Sequence, residues 1–223
     1  MSITTTKLSA AAGLCAVAAG ILFIGVQINH PHLDANFAVT GEYLFRQSLK
    51  LVMAVLSLIG ITGIYLSQVR KIGVLGLLGY VIFGAGYLAM MCIEVMGAVV
   101  LPTLAASAPG YVNDVLAVAT GAKAAGDIGM LAGLVTFSGI SYLTGGLIFG
   151  IAVFRAKVLS RWAAALLSLG ALATAAIPLL PFINERLFAL PLGVAMIGLG
   201  VSLWRGQRAA AVGSRPTVRI GQP

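Results

Sequence analysis

The stretch Ile72–Leu101, IGVLGLLGYVIFGAGYLAMMCIEVMGAVVL, decides the fold of this chain. Glu94 is its only charged residue, and no proline interrupts it. A helix needs about 20 mainly apolar residues to cross a hydrocarbon layer of ~30 Å. The stretch therefore predicts a membrane-spanning helix that is long enough to tilt or to extend beyond the bilayer.

Five more stretches have nearly the same length and character. With the first, they are Leu8–Ile28, Gln47–Ser67, Ile72–Leu101, Leu131–Phe154, Trp162–Phe182 and Leu187–Trp204. We therefore predict an all-α membrane protein in which six transmembrane helices form a single domain over residues 1–204.

The composition agrees with a bilayer environment. Of 223 residues, 60% are hydrophobic and 9% are charged, against roughly 45–50% and ~25% in soluble proteins. So few charges cannot cover the surface of a water-soluble globule. This excludes a soluble enzyme, a disordered protein and a nucleic-acid-binding domain, despite a pI near 9.9. The expected partner is the lipid bilayer, with no nucleic acid.

Basic residues predict the orientation, because Lys and Arg beside the spans stay on the cytoplasmic side. One side of the predicted spans holds Lys7, Arg70, Lys71, Arg155, Lys157, Arg161, Arg205, Arg208, Arg215 and Arg219. The other side holds only Arg46, Lys50, Lys123 and Arg186, together with the acidic residues. Both termini are predicted to be cytoplasmic. The basic tail, residues 205–223, is expected to be disordered and to attract anionic lipid at ~1 kcal/mol per basic residue near the surface.

Small residues four apart occur at Ala12/Ala16/Gly20, Gly129/Gly133 and Gly146/Gly150. This spacing lets helices approach closely in lipid. We expect tight packing within one chain, with a homo-oligomer or a membrane partner subunit as the alternative.

The outer ends of the spans form a second layer of charged residues. At 1.5 Å per residue, Arg46 and Glu94 reach similar depths, and Lys50 lies about one turn deeper. Mid-depth carries no charge, which excludes intramembrane proton relays and voltage sensors and a haem held by mid-membrane histidines. Glu94 with Arg46 or Lys50 is either a structural ion pair or a ligand-facing site, and Glu42 competes for Arg46 as a local helical partner.

Polar side chains of the fourth span share one helical face. Ser138, Ser141 and Tyr142 have the spacing for this, so the face should look into the bundle. They either form hydrogen bonds between helices or line a polar cavity. With Arg46, Lys50 and Glu94 they are the candidate ligand-binding residues.

The run His30-Pro31-His32-Leu33-Asp34 is a candidate metal site. Imidazole and carboxylate ligands suit Zn, Cu or Ni, so His30, His32 and Asp34 with Glu94 form one possible ligand set. The alternative is that Pro31 simply ends the first helix. No known catalytic motif is present and no cofactor is required by the sequence, so an enzyme is not the expected class.

The outer connection after Leu101 contains Val112, Val115, Leu116 and Ala119, an i, i+3, i+4, i+7 stripe. This spacing predicts a short amphipathic helix. It is either a lid over a site or a connector packed on the surface.

The region Thr144–Leu167 carries the runs Gly145–Gly150, Arg155–Leu159 and Arg161-Trp162, and it continues as Leu190–Gly193 and Leu203–Arg205. This pattern resembles one that recurs in small bacterial multi-pass membrane proteins of unassigned function. The resemblance covers about a third of the chain and implies a bacterial inner-membrane protein without implying an activity.

The leading functional expectation is binding or transport of a small solute through an outward-facing polar vestibule lined by His30, Arg46, Lys50 and Glu94. One alternative is a structural or accessory membrane subunit. A metal-binding redox membrane protein is the other.

Overall fold

The computed structural model describes residues 3–28, 31–174 and 190–213. Over these ranges the regular structure is entirely α-helical. The helices are α1 (Thr5–Gln27), α2 (Ala35–Ala38), α3 (Gly41–Leu66), α4 (Val69–Val99), α5 (Leu101–Leu104), α6 (Pro109–Ala119), α7 (Met130–Ala156), α8 (Arg161–Thr174) and α9 (Leu190–Gly213).

Four helices, α1, α3, α4 and α7, are long and apolar enough to cross a membrane. They correspond to the first four predicted spans, and α8 is shorter over its described residues. The end of the fifth predicted span and the start of the sixth fall on residues 175–189, which lie outside the described ranges. The all-helical membrane character predicted from the sequence is thus supported by four helices.

Side-chain caps explain where helices begin. The Thr40 hydroxyl accepts a hydrogen bond from the Tyr43 amide at 3.2 Å, and the Asp34 carboxylate accepts one from the Phe37 amide at 2.7 Å. Such caps satisfy amides that have no partner within the helix. Because Thr40 is the cap, α3 starts six residues before the predicted start at Gln47 and includes Tyr43.

The carboxyl end of α9 differs from the expectation. The helix continues through Gly213, so residues 205–213, which we expected to belong to a disordered tail, are helical. This part of the tail lacks proline and contains Arg205, Arg208 and several alanines, which are good helix formers. Arg215 and Arg219 lie outside the described residues.

The six longest helices of the described ranges form a closed ring, in the order α1, α3, α4, α7, α8, α9. Contacts between α9 and α1 complete the ring. Gly13 faces Gly200, and Gly20 faces Gly193, so these two helices run antiparallel. A Cβ atom on Gly13 would lie 2.8 Å from the Gly200 carbonyl oxygen, which shows how closely the backbones approach. The first and last helices therefore place Thr5 and Gly213 at the same end of the ring.

Most of the predicted small-residue faces make helix contacts. Gly60 and Gly63 of α3 pack on Ala16 and Ala12, while Gly146 and Gly150 of α7 pack on α8. The pair Gly129/Gly133 is an exception, because a Cβ atom at either position would meet nothing within 4 Å. Gly129 instead caps α7 with a φ of +63°, a conformation that glycine adopts at little cost.

Aromatic rings fill the centre of the ring of helices. Phe83 lies 5.0 Å from Tyr87 and 5.4 Å from Tyr142 between ring centroids. Tyr142 also stacks on Phe23 of α1 at 6.4 Å. This cluster joins α1, α4 and α7 below the cavity described next.

Short helices cover one end of the ring. We call α2, α5, α6 and the loop 120–129 the cap. The cap has an apolar core that is separate from the core between the long helices. It contains Val112, Val115 and Leu116 of α6 together with Leu101 and Leu131. The helix predicted from the outer stripe is thus present as α6.

Hydrogen bonds hold the cap together. The Asp114 carboxylate accepts from the amides of Ala125 at 2.8 Å and Gly126 at 2.9 Å. The side-chain oxygen Oδ1 of Asn113 accepts a hydrogen bond from the Ala35 amide at 2.7 Å. Both residues belong to α6, so this helix is tied to the loop on one side and to α2 on the other.

Candidate functional site

A cavity of about 480 Å³ lies between the cap and the ring of helices. The cap contributes Val115, Leu116, Ala119 and Thr120 to its wall. Most of the remaining wall comes from α1, α3, α4 and α7 and is largely apolar, including Met53, Met90, Ile93, Leu131 and Val135. Its volume falls within the range of small-molecule sites, which are mostly apolar with a few placed polar groups.

The charged groups of this wall, Lys50 and Glu94, lie close together, and a second amide, Gln27, comes from α1. Tyr43, Gln47 and Lys50 follow one face of α3 at i, i+4 and i+7, and Glu94 faces them from α4. We call these four residues the polar patch. Lys50 Nζ donates to Gln47 Oε1 at 2.9 Å and lies 3.8 Å from Glu94 Oε2.

Tyr43 and Gln47 of the polar patch are buried. Lys50 and Glu94 are partly buried, and their formal charges cancel. The side chains of Lys50 and Glu94 are 18% and 13% exposed, so water screens their attraction less than it screens a surface pair. At 3.8 Å the separation is longer than a hydrogen bond, so the two groups form an ion pair without a direct hydrogen bond between these atoms.

The Tyr43 hydroxyl is a buried polar group of the polar patch. The residue is 1% exposed, and its hydroxyl has no hydrogen-bond partner among the described residues. Its ring packs edge-on against Phe37 of α2, with centroids 5.8 Å apart. A buried polar group without a partner costs about 1–3 kcal/mol, so this hydroxyl favours an occupant that can accept its hydrogen bond.

Glycine at position 97 makes space for the polar patch. A Cβ atom there would overlap Gln47 Nε2 and lie 3.3 Å from the Tyr43 hydroxyl. The polar side chains of α3 can therefore lie flat against α4.

Arg46, a predicted vestibule residue, does not line the cavity. Its Nε donates to Glu42 Oε1 at 2.9 Å within α3, which is the local pairing that competed in the sequence analysis. Arg46 and Lys50 are four residues apart, so they lie on nearly the same side of α3 and differ in depth by about one helical turn. Glu94 is level with the deeper of the two, Lys50, although the depths predicted from the sequence place it level with Arg46.

The predicted polar face of α7 is buried as expected. Ser138 Oγ donates to the Gly86 carbonyl oxygen at 3.2 Å, which is a hydrogen bond between α7 and α4. Ser138 and Tyr142 also line the cavity, whereas the buried Ser141 does not. Ser138 thus makes a hydrogen bond between helices, and Ser138 and Tyr142 also form part of the cavity wall. A role of these residues in binding a ligand stays a prediction.

The predicted metal ligands are dispersed where they can be located. His32 is exposed, Asp34 caps α2 and Glu94 faces Lys50, while His30 lies outside the described residues. Over the ranges described, no group of three or more His, Cys, Asp or Glu side chains is arranged to hold a metal. The metal site remains a prediction that depends on His30.

Tyr43 and Gln47 were missed as site residues by the sequence analysis. The second span was predicted to begin at Gln47, which placed Tyr43 in a loop. Thr40 was the available signal, because threonine before an apolar run is a helix start. Starting the helix there puts Tyr43, Gln47 and Lys50 on one face.

Comparisons of the chain with protein-family models, with curated proteins and with solved structures give no match. The functional argument therefore rests on the geometry of the cavity.

Proposed function

We propose that this chain is a six-helix protein of a bacterial inner membrane, with both termini cytoplasmic, that binds or transports a small, mainly apolar solute. The observation that carries the proposal is the 480 Å³ cavity, closed at one end by α6 and polar at Tyr43, Gln47, Lys50 and Glu94. A concave, mainly apolar wall with a few placed polar groups is the usual form of a small-molecule site.

The orientation follows from the distribution of basic residues. Lys7, Arg70, Lys71, Arg155 and Lys157 cluster at the end of the ring away from the cap, and such clusters stay cytoplasmic. The cap and the cavity then face outward. A solute would enter from the outer side or from the outer half of the bilayer.

Anionic lipid is the proposed partner at the cytoplasmic end. Arg205 and Arg208 extend α9 beyond its apolar part, and the Arg208 guanidinium lies 4.9 Å from the Trp204 ring centroid. Arg161 packs similarly over Phe154 at 4.2 Å. Arginines beside aromatic rings at the proposed cytoplasmic end of the ring of helices suit a surface of phosphate headgroups.

The alternative role, a structural or accessory subunit, was suggested by the glycine-rich faces. Most of these faces pack against other helices of the same chain, so they do not call for a partner subunit. Recovery of a stoichiometric partner with the protein from mild detergent would nevertheless favour that role.

Native mass spectrometry of the protein released from lipid nanodiscs tests the proposal. Wild type should carry a small molecule that Val135→Trp displaces, because Val135 lines the cavity. Val81→Trp is the matched control, since Val81 is exposed on the outer surface of α4. An empty wild-type protein, together with a gain in thermal stability on filling the cavity in Val135→Trp, would contradict a binding role.

A further inference from the structure

The charges of the cavity select among solutes. Lys50 and Glu94 are the charged residues on the described part of its wall, and their formal charges cancel. A carboxylate head group placed there is attracted by Lys50 but repelled by Glu94, and an ammonium head group experiences the reverse. Because the attraction and the repulsion oppose each other, the cost of moving the charge out of water is left largely uncompensated. A neutral head group avoids this cost.

The hydrogen-bonding groups narrow the choice further. Tyr43 supplies a buried donor that has no partner among the described residues. The Glu94 carboxylate has several lone pairs and can accept a further hydrogen bond. A hydroxyl group both accepts and donates, so it can bond to Tyr43 and Glu94 at once. A ketone or an ether could satisfy only Tyr43.

The remaining wall indicates how the solute arrives. Ile140 lines the cavity although the residue is 59% exposed. It lies about 15 Å along α7 from Met130, which is near mid-depth for a helix that spans the bilayer. The cavity therefore reaches the lipid-facing surface, and a solute dissolved in the hydrocarbon layer can enter beside Ile140.

We propose that the cavity binds a neutral, membrane-soluble alcohol, with its hydroxyl between Tyr43 and Glu94 and its apolar body against Met90, Ile93 and Val135. This inference rests on the proposed binding function and names its ligand class. The shared chemistry covers alkyl, isoprenoid and phenolic alcohols, which differ in the body and not in the head group.

Photolabelling with a diazirine-bearing octanol tests the inference on the full chain in nanodiscs. Labelled peptides are mapped by mass spectrometry, and octanol, octanoate and octylamine compete at neutral pH, at equal concentrations in the bilayer. We expect labels on α4 and α7 residues of the cavity. Octanol should compete at about one tenth of the concentration that either charged probe requires. This corresponds to a difference of ~1.4 kcal/mol in binding free energy.

Two tyrosine-to-phenylalanine variants are compared, one on the cavity wall and one away from it. Tyr43→Phe should weaken octanol labelling about fivefold, the loss expected from one neutral hydrogen bond of ~1 kcal/mol. Tyr87→Phe is the control, since Tyr87 is buried on α4 but does not line the cavity. The competition series on wild type needs no variant, so it decides the question even if Tyr43→Phe does not fold.

The outcomes separate this inference from the function on which it rests. Cavity labelling that octanoate or octylamine blocks as well as octanol, or that Tyr43→Phe leaves unchanged in a folded protein, would overturn the alcohol while retaining the binding site. Labelling confined to lipid-facing residues such as Val81 would overturn both.

Discussion

Gly97 of α4 occupies a position from which a Cβ atom would collide with the carboxamide of Gln47 on α3. The absence of a side chain on one helix therefore sets the position of a polar side chain on the next. Gln47 in turn accepts the hydrogen bond of Lys50, so the glycine organises the charged wall of the cavity.

Gly97→Ala should weaken solute binding while leaving the fold intact. The flexible Gln47 can move aside, and alanine gains up to ~1 kcal/mol of helix propensity over glycine, so stability should change little. Octanol photolabelling should fall several-fold. Gly84→Ala on the same helix is the control, because its Cβ would only touch Leu58 at 4.0 Å. Equal labelling of both variants would show that Gln47 does not position the polar patch.

Lys50 and Glu94 should be energetically coupled. Removing one partner of this partly buried pair leaves the other charge uncompensated. Lys50→Met and Glu94→Gln should therefore each lower the free energy of unfolding by more than half of the loss seen in the double variant. We expect a coupling of about 1–3 kcal/mol in a double-mutant cycle of unfolding. Arg46 and Glu42 form the comparison, because their exposed i, i+4 pair should give only about 0.3–0.5 kcal/mol. A coupling energy between Lys50 and Glu94 no larger than that between Arg46 and Glu42 would mean that water reaches the polar patch freely.

Two glycines of α7 should respond oppositely to alanine. At Gly145 a Cβ atom would lie 2.5 Å from the Phe83 Cα atom, so Gly145→Ala must push α4 and α7 apart and should cost about 1–3 kcal/mol. At Gly133 nothing lies within 4 Å, and Gly133→Ala should be neutral or stabilising by up to ~1 kcal/mol. Thermal unfolding of the two variants in one detergent measures the difference. Similar midpoints would contradict the close approach of these helices.

Asp114 should hold the cap closed. Asp114→Ala removes both hydrogen bonds to the loop amides of Ala125 and Gly126. Amide hydrogen exchange in residues 109–126 should quicken, by a factor of about ten for each 1.4 kcal/mol of lost local stability. Lys123→Ala, an exposed change in the same loop, should leave exchange as in wild type. Unchanged exchange in Asp114→Ala would mean that the apolar face of α6 alone closes the cap.

The proposed topology can be tested with single cysteines. In a background of Cys15→Ala and Cys92→Ala, Ala122→Cys lies in the cap and Gln207→Cys lies in the carboxyl-terminal extension of α9. A membrane-impermeant maleimide applied to intact cells should label position 122 and should label position 207 only after the membrane is opened. The reverse pattern would invert the orientation inferred from the basic residues.

Much of the architecture could be predicted because length and hydropathy are local properties. The stretch Ile72–Leu101 and α4 differ by only a few residues at each end, and the stripe of Val112, Val115 and Leu116 predicted α6. The site was harder, because it depends on how far neighbouring helices are shifted along their axes relative to one another. Arg46 and Lys50 lie one turn apart on the same side of α3, and no local pattern says which of them is level with Glu94.

Two errors have the same physical origin at helix ends. Tyr43 was left outside its helix because the apolar run starts later than the cap at Thr40. Residues 205–213 were expected to be disordered because they are polar, although polarity marks the end of the membrane-spanning part and not the end of the helix. A helix continues until its backbone is stopped, and neither end coincides with a change in hydropathy.

The closure of the ring by α9 against α1 has a consequence for biogenesis. Ribosomes deliver the chain from its amino terminus, so α1 leaves the translocation machinery long before its second neighbour exists. The backbone face formed by Gly13 and Gly20 therefore stays without its α9 partner until Gly193 and Gly200 have been synthesised. Assembly thus ends with a contact between the two extremes of the sequence, and a chain that stops before Leu190 retains α1 but loses the surface that seals it.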